Sequence, residues 1–194
     1  MANMPRSRTS TGKAAIAAVI PGLLLLAMAG RAADAPPLEY QVKAAFLLNF
    51  TKFVEWPVSA FADDRAPLTI CILGDDPFGG MLDQMVQGEV VTGRRVAVQR
   101  IHGVPEAKTC QVLYVGQNAR EARQVLAGLG PGVLTVGEGE NFLRDGGIIA
   151  FVIDNRRVRF DVNQGVASDA GLTLSSRLLN VARSVRSKGQ ETRP

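Results

Sequence analysis

Between residues 39 and 54 the apolar positions repeat at helical spacing. Val42, Phe46, Phe50 and Phe53 recur three or four apart, with Ala45 and Asn49 on the same face and Lys43, Lys52 and Glu55 towards the other. This is the pattern of an amphipathic helix. Trp56-Pro57 ends it, because proline disfavours helix at the residue before it. Leu47, Leu48 and Val54 widen the stripe, which predicts neighbours on more than one side. The run Leu68-Thr-Ile-Cys-Ile-Leu73 is short, continuous and apolar, and stops at Gly74. It reads as a strand covered on both faces. Asp75-Asp76-Pro77-Phe78 predicts a helix reaching Val86, with aspartate as cap and proline in the first turn.

Residues 95–101 alternate and read as a strand, and 111–115 as another buried strand ended by Gly116. Asn118 predicts the cap of a helix over 119–129. Pro131-Gly132 turns the chain into a strand at 133–136, which ends in Gly137-Glu-Gly-Glu140. Residues 148–153, the turn Asp154-Asn155-Arg156 and the alternating residues 157–162 give a β-hairpin signal. Over 168–186, Leu172, Ser175 or Ser176, Leu179 and Val185 fall on helical periods, predicting a helix whose regular part begins near Leu174. Strand and helix therefore alternate before a closing hairpin and helix. The fold class is α/β: a single-domain α/β sandwich with a mixed, mainly parallel sheet and a C-terminal hairpin plus helix. The domain spans residues 39–187, and 188–194 read as a flexible tail.

Charge changes this picture in one place. The chain has 22 Lys+Arg against 18 Asp+Glu, but Arg6, Arg8, Lys13 and Arg31 precede the first acid. Without them the balance is zero, so the basic surplus that nucleic-acid binding requires is absent from the folded part. Residues 1–13 are polar and positive, residues 14–30 carry no charge and centre on Leu23-Leu24-Leu25-Leu26, and small residues follow. This is the order of a cleaved signal peptide over residues 1–32. Cleavage after Ala32 puts Gly30 and Ala32 at the two key positions, whereas cleavage after Ala35 sets Pro36 beside the scissile bond. The mature protein is expected to be exported. Within it, residues 155–194 hold eight basic and three acidic residues, a candidate basic face.

Catalytic chemistry finds little support. A triad would need His102, the one histidine, and no G-x-S-x-G elbow accompanies it. Phosphate-loop and dinucleotide-loop patterns are absent. Glu138 and Glu140 flank Gly139 and read as solvated loop residues. No cofactor and no metal site are expected, and the chain is expected not to be an enzyme. Binding is the better class. Asn49 interrupts an apolar helix face, and Arg177 follows Ser175-Ser176 in the last helix. Asn49, Arg177 and Ser175 are candidate ligand-binding residues, with a tied-down loop and a structural ion pair as the plainer alternatives. Cys71 and Cys110 allow a single intrachain pairing, closing a loop of about 40 residues worth about 4 kcal/mol. Two buried free thiols are the alternative.

Four segments carry a resemblance. They are Tyr40-Gln-Val-Lys-Ala-Ala-Phe-Leu-Leu-Asn-Phe-Thr-Lys-Phe-Val-Glu-Trp-Pro57, Cys71-Ile-Leu-Gly-Asp-Asp-Pro-Phe-Gly79, Ile149-Ala-Phe-Val-Ile-Asp-Asn-Arg-Arg-Val-Arg-Phe160 and Ala170-Gly-Leu-Thr-Leu-Ser-Ser-Arg-Leu-Leu179. In this order they resemble the YfiR family, over residues 39–183. The resemblance implies a periplasmic negative regulator that binds the periplasmic part of a membrane diguanylate cyclase, YfiN, and lowers cyclic di-GMP output and biofilm formation. It also implies sequestration by a YfiB-like outer-membrane lipoprotein, homodimer formation and redox control. Cys71 and Cys110 match one disulfide of the family; a second pair would fall within 145–152, where no cysteine stands. Candidate partner contacts are Trp56, Phe61, Phe151, Arg156, Arg157 and Arg159. A periplasmic small-ligand sensor without a cyclase partner is the alternative function.

Overall fold

Alternate residues of the central strands enter two different apolar layers. Leu68, Ile70 and Ile72 face one layer, and Cys71 and Leu73 the other. Val112 and Tyr114 part from Leu113 and Val115 in the same way. A strand covered on both faces needs apolar residues throughout, which produces the continuous runs in the sequence. The computed structural model describes residues 37–116 and 122–187. The predicted leader, the Asn118 cap with the start of its helix, and the tail at 188–194 lie outside the described residues.

In chain order the elements are α1 (Leu38–Phe53), β1 (Val54–Glu55), a 3-10 turn (Val58–Ala60), β2 (Leu68–Leu73), α2 (Gly80–Val86), β3 (Val90–Val91), β4 (Arg94–Ile101), α3 (Val104–Ala107) and β5 (Val112–Val115). There follow α4 (Ala122–Gly128), β6 (Leu134–Glu138), α5 (Glu140–Arg144), β7 (Ile149–Asp154), β8 (Arg157–Asn163), α6 (Gln164–Asp169), β9 (Thr173–Leu174), α7 (Ser176–Val181) and β10 (Ser184–Arg186). An eight-stranded sheet runs β10-β8-β7-β6-β5-β2-β4-β3. Strands β4, β2, β5, β6 and β7 are mutually parallel; β8 turns back antiparallel to β7, and β3 pairs antiparallel with β4. The fold is α/β, with α1, α2, α6 and α7 packed on one face through Leu47, Leu82, Ala167 and Leu178, and α3, α4 and α5 on the other through Ala107, Val125 and Phe142.

Several boundaries differ from the sequence reading, each for a local reason. Asp76 does not cap α2 directly. Its carboxylate accepts from the N–H groups of Phe78 and Gly79, a turn that delays the helix to Gly80. The expected helix over 168–186 is four short elements. Gly171 adopts φ +73°, breaking the helical path, and β9 then pairs with β1 through Leu174 and Val54. After α7 the chain returns to the sheet as β10, with the Arg183 N–H donating to the Phe160 carbonyl. Helix α1 turns its fully buried face through Lys43, Ala44, Leu47, Phe50 and Thr51. Lys43, expected on the outer side, is thus inside; its aliphatic stem packs among apolar groups while its ammonium meets carboxylates.

Phe142 is clamped between two glycines on the α5 side. A Cβ added to Gly137 or Gly147 would come within 2.4 Å or 2.2 Å of its ring. Overpacking of this kind costs about 1–3 kcal/mol. Gly147→Ala is therefore expected to lower stability by about 2 kcal/mol in urea denaturation, and Phe142→Leu in the same background to restore part of the loss. A Gly147→Ala protein as stable as the parent would refute the clamp.

Candidate functional site

A cavity of about 530 Å³ lies where α1, β8 and α7 meet. Helix α1 supplies Phe46, Asn49, Phe50 and Phe53; β8 supplies the residues from Arg157 to Phe160; α7 supplies Arg177, Leu178 and Val181. The floor is aromatic: Phe46 and Phe50 stack at 5.9 Å, and Phe160 meets them edge-on at 5.4 Å and 5.1 Å. Three arginines line it and no acidic side chain does. Arg159 donates to the Val181 carbonyl at 3.5 Å, tying β8 to α7. Arg157 and Arg177 have no carboxylate partner among the described residues. Guanidinium groups without counterions beside a low-dielectric wall make a positive potential that attracts anions. The site suits an apolar body carrying a carboxylate, a phosphate or another hydrogen-bond acceptor.

Two of the three residues read as ligand-binding, Asn49 and Arg177, line this cavity. Asn49 is exposed rather than buried, so its amide is open to the cavity and to water. Ser175 does not line it: its hydroxyl caps α7, accepting from the Leu178 N–H at 3.3 Å. Of the proposed partner contacts, Arg157 and Arg159 are exposed on the cavity rim. Arg156 is exposed in the β7–β8 turn at φ 62°. Phe151 is 2 % exposed and packs on Phe46 and Phe50. Trp56 and Phe61 are half-buried. The Trp56 indole donates to the Gln111 carbonyl at 3.1 Å, and the Arg94 guanidinium lies over the Phe61 ring at 3.8 Å. The exposed apolar residue of that segment is Val58.

Cys71 on β2 and Cys110 just before β5 form a disulfide, with both residues inside the second apolar layer. Next to it Gln111 acts as a hub: its side chain accepts from the Thr69 N–H and donates to the Ala60 carbonyl. Asp161 on β8 is buried and paired with Arg183, which also reaches Glu140. Burial alone would raise the Asp161 carboxyl, but hydrogen bonds from Arg183 and Ser184 outweigh it and hold it below the usual carboxylate range. Among the described residues no group of three or more His, Cys, Asp or Glu is placed to hold a metal ion.

The sequence reading missed a polar cluster. Glu138, taken as solvated, receives hydrogen bonds from Lys43 and Tyr114. The one available signal was the four-residue spacing of Glu39 and Lys43 within an otherwise apolar helix.

The family pattern of YfiR/HmsC-like proteins matches residues 40–183, which hold the disulfide, every strand of the sheet but β10 and every residue lining the cavity. The chain belongs to the YfiR/HmsC-like family. This is a family of periplasmic, regulatory, non-catalytic proteins. No curated protein matches the sequence. Among solved structures, a conserved domain protein from Vibrio cholerae O1 biovar El Tor strain N16961 is similar at 11% identity and a TM-score of 0.46, over 78% of this chain and 60% of that one. An ABC domain from Streptococcus pneumonia, solved in complex with L-Trp, is similar at 13% identity and a TM-score of 0.38, over 60% of this chain and 54% of that one. Likenesses this distant carry no argument about function. No helix among the described residues of this YfiR/HmsC-like chain is long and apolar enough to cross a membrane.

Proposed function

We propose that the protein is a periplasmic negative regulator that binds the periplasmic part of a YfiN-like membrane diguanylate cyclase and lowers cyclic di-GMP output. The observation that carries this reading is the family match across residues 40–183. The groove between α1, β8 and α7 supports it, because an aromatic floor with an arginine rim suits an acidic partner segment bearing an apolar anchor. A regulator acts on an enzyme only through unequal affinity for its active and inactive states. The groove is therefore expected to close on the inactive cyclase. Sequestration by a YfiB-like lipoprotein, a homodimer and redox control through Cys71–Cys110, exerted when the bond forms or when the structure opens around it, are further parts of the proposal. The test is cyclic di-GMP in cells lacking the gene. Deletion is expected to raise it and the wild-type gene to restore it. An unchanged level in cells that make both the protein and its cyclase would end the regulatory reading.

A second reading has its own support. Asn49 and Arg177 share one cavity with an aromatic wall, which suits a small anionic ligand. In that case the melting temperature should rise with a small aromatic or aliphatic carboxylate, and Arg177→Ala should abolish the rise. A panel of such acids that leaves the protein's melting unchanged would count against it.

A further inference from the structure

A deeply buried cation lies outside the groove. The Lys43 side chain is 2 % exposed. Its ammonium is held by Glu39 one turn earlier on α1 at 2.5 Å and by Glu138 at the end of β6 at 2.9 Å. Tyr114 on β5 donates to the same Glu138 oxygen at 2.6 Å. The Tyr40 ring lies 4.4 Å from the ammonium, and Tyr40, Phe78 and Tyr114 pack edge-to-face in series at 6.0 Å and 4.8 Å. On the other side a second cavity of about 400 Å³, bordered by Glu39, Lys43, Glu138, Phe151, Ile153 and Arg183, opens to solvent over the cluster. Water and protons therefore have a route to Glu138.

We propose that Glu138 is an acid-released latch: protonation of its carboxylate frees the first half of α1 from the sheet and loosens the groove wall that the same helix forms.

The argument is one of donors and acceptors. As a carboxylate, Glu138 only accepts: one oxygen serves both Lys43 and Tyr114, and the Tyr40 phenol also hydrogen-bonds the carboxylate. Protonated, it loses the negative charge opposite the Lys43 ammonium, while its new hydrogen can turn to a tyrosine oxygen. Lys43 is left with Glu39, which is partly exposed. A buried charge stripped of a partner is costly, and the relief is to move it to water. The second cavity is the outlet. Lys43 already borders it, and carrying the ammonium from the apolar layer fully into water draws the first turns of α1 outward, turns that begin at the exposed Leu38. Since α1 is one continuous helix to Phe53, the shift is felt at Phe46, Asn49, Phe50 and Phe53.

The other charges around Glu138 fit this direction. From α1 come Glu39, Lys43 and Tyr40; from β5, Tyr114; from α5, Glu140; from the α7–β10 turn, Arg183, already held by Glu140 and Asp161. Strand β7 contributes Phe151, Val152 and Ile153, and Asp76 acts on Tyr114 from the loop before α2. Burial lowers the proton affinity of Lys43, but its bonds to Glu39 and Glu138 outweigh that and raise it above the usual lysine value. Burial, then Glu138, pushes the Tyr114 phenol up. A group raised in this way gives stability that is complete below its ordinary value and lost only as the pH climbs through the raised one. The latch thus holds through neutral and mildly alkaline water. It opens on the acid side, where carboxylates take up protons.

Hydrogen exchange of the full mature protein, followed by mass spectrometry from pH 7 down to about pH 3 and corrected for intrinsic rates, tests this, because the Lys43 ammonium favours the charged carboxylate. Exchange across residues 38–53 is expected to rise about tenfold in acid while β2 and β5 stay protected. Glu138→Gln should show the loosened α1 at pH 7 and lose the pH dependence. Glu138→Gln with Lys43→Met removes the charge that needs expelling and should restore protection of α1 at both pH values. The latch is overturned if α1 and the central strands lose protection together, if Glu138→Gln keeps the wild-type pH profile, or if the double variant is as loose as the single one.

Discussion

Replacing Cys71 and Cys110 together by alanine is expected to lower the free energy of unfolding by about 4 kcal/mol, without changing the fold. The two residues are 39 apart in sequence, and the bond removes that loop's freedom from the unfolded chain. The chain-entropy model gives about 4 kcal/mol for a loop of this size, a large share of the ~5–15 kcal/mol that holds a domain together. The location adds a second expectation. Cys71 is 0 % and Cys110 1 % exposed, beneath Leu73, Ile101, Ala107 and Leu113. An attacking thiolate must reach a disulfide sulfur, so burial blocks exchange until the structure opens. Dithiothreitol is therefore expected to reduce the bond slowly in native buffer and rapidly in urea. Equilibrium urea unfolding of both forms, with thiol labelling over time, measures both effects. Rapid reduction in native buffer with α1 and β5 still protected would make the bond an accessible switch. A double-alanine protein of unchanged stability would deny it the role of staple.

What the sequence disclosed and what it hid follow from the range of the forces involved. Strands β2 and β5 were legible because each is buried on both faces, so apolar residues fill Val112–Val115 and all of Leu68–Leu73 except the half-buried Thr69. The hairpin of β7 and β8 was legible because its turn and alternation are local. The C-terminal segment was not. Its helical spacing is real over Ser176–Val181, yet β9 and β10 exist only because β1 and β8 lie beside them, pairings with residues more than twenty positions away. The groove was half legible. Asn49 stood out as an amide on an apolar stripe and Arg177 as a cation after Ser175-Ser176. That Arg157 and Arg159 would join them depended on α1 crossing β8, which spacing does not encode. Lys43 was misread because a lysine is counted as polar, although four methylenes let it cross an apolar layer to reach Glu138.

Reversing two charges on the groove, Arg157→Glu with Arg177→Glu, is expected to raise cyclic di-GMP to the level of the deletion strain and to weaken binding to the cyclase's periplasmic domain about a hundredfold. Both side chains are exposed and neither has a carboxylate partner among the described residues, so the change breaks no internal ion pair and should leave the melting temperature nearly unaltered. That separates a binding defect from a folding defect. The reversal replaces attraction by repulsion at two points, which slows association as well as speeding release, and the slowed step should be the salt-sensitive one. Arg123→Glu is the control: Arg123 is exposed and pairs with Asp145, and it does not line the groove. Val181→Asp tests the apolar half of the same surface, because Val181 is exposed at the cavity edge beside Leu178. If both the arginine pair and Val181→Asp repress like wild type, the groove is not where the cyclase docks. If the arginine pair fails and Arg123→Glu succeeds, the positive rim of α1, β8 and α7 is the regulatory surface.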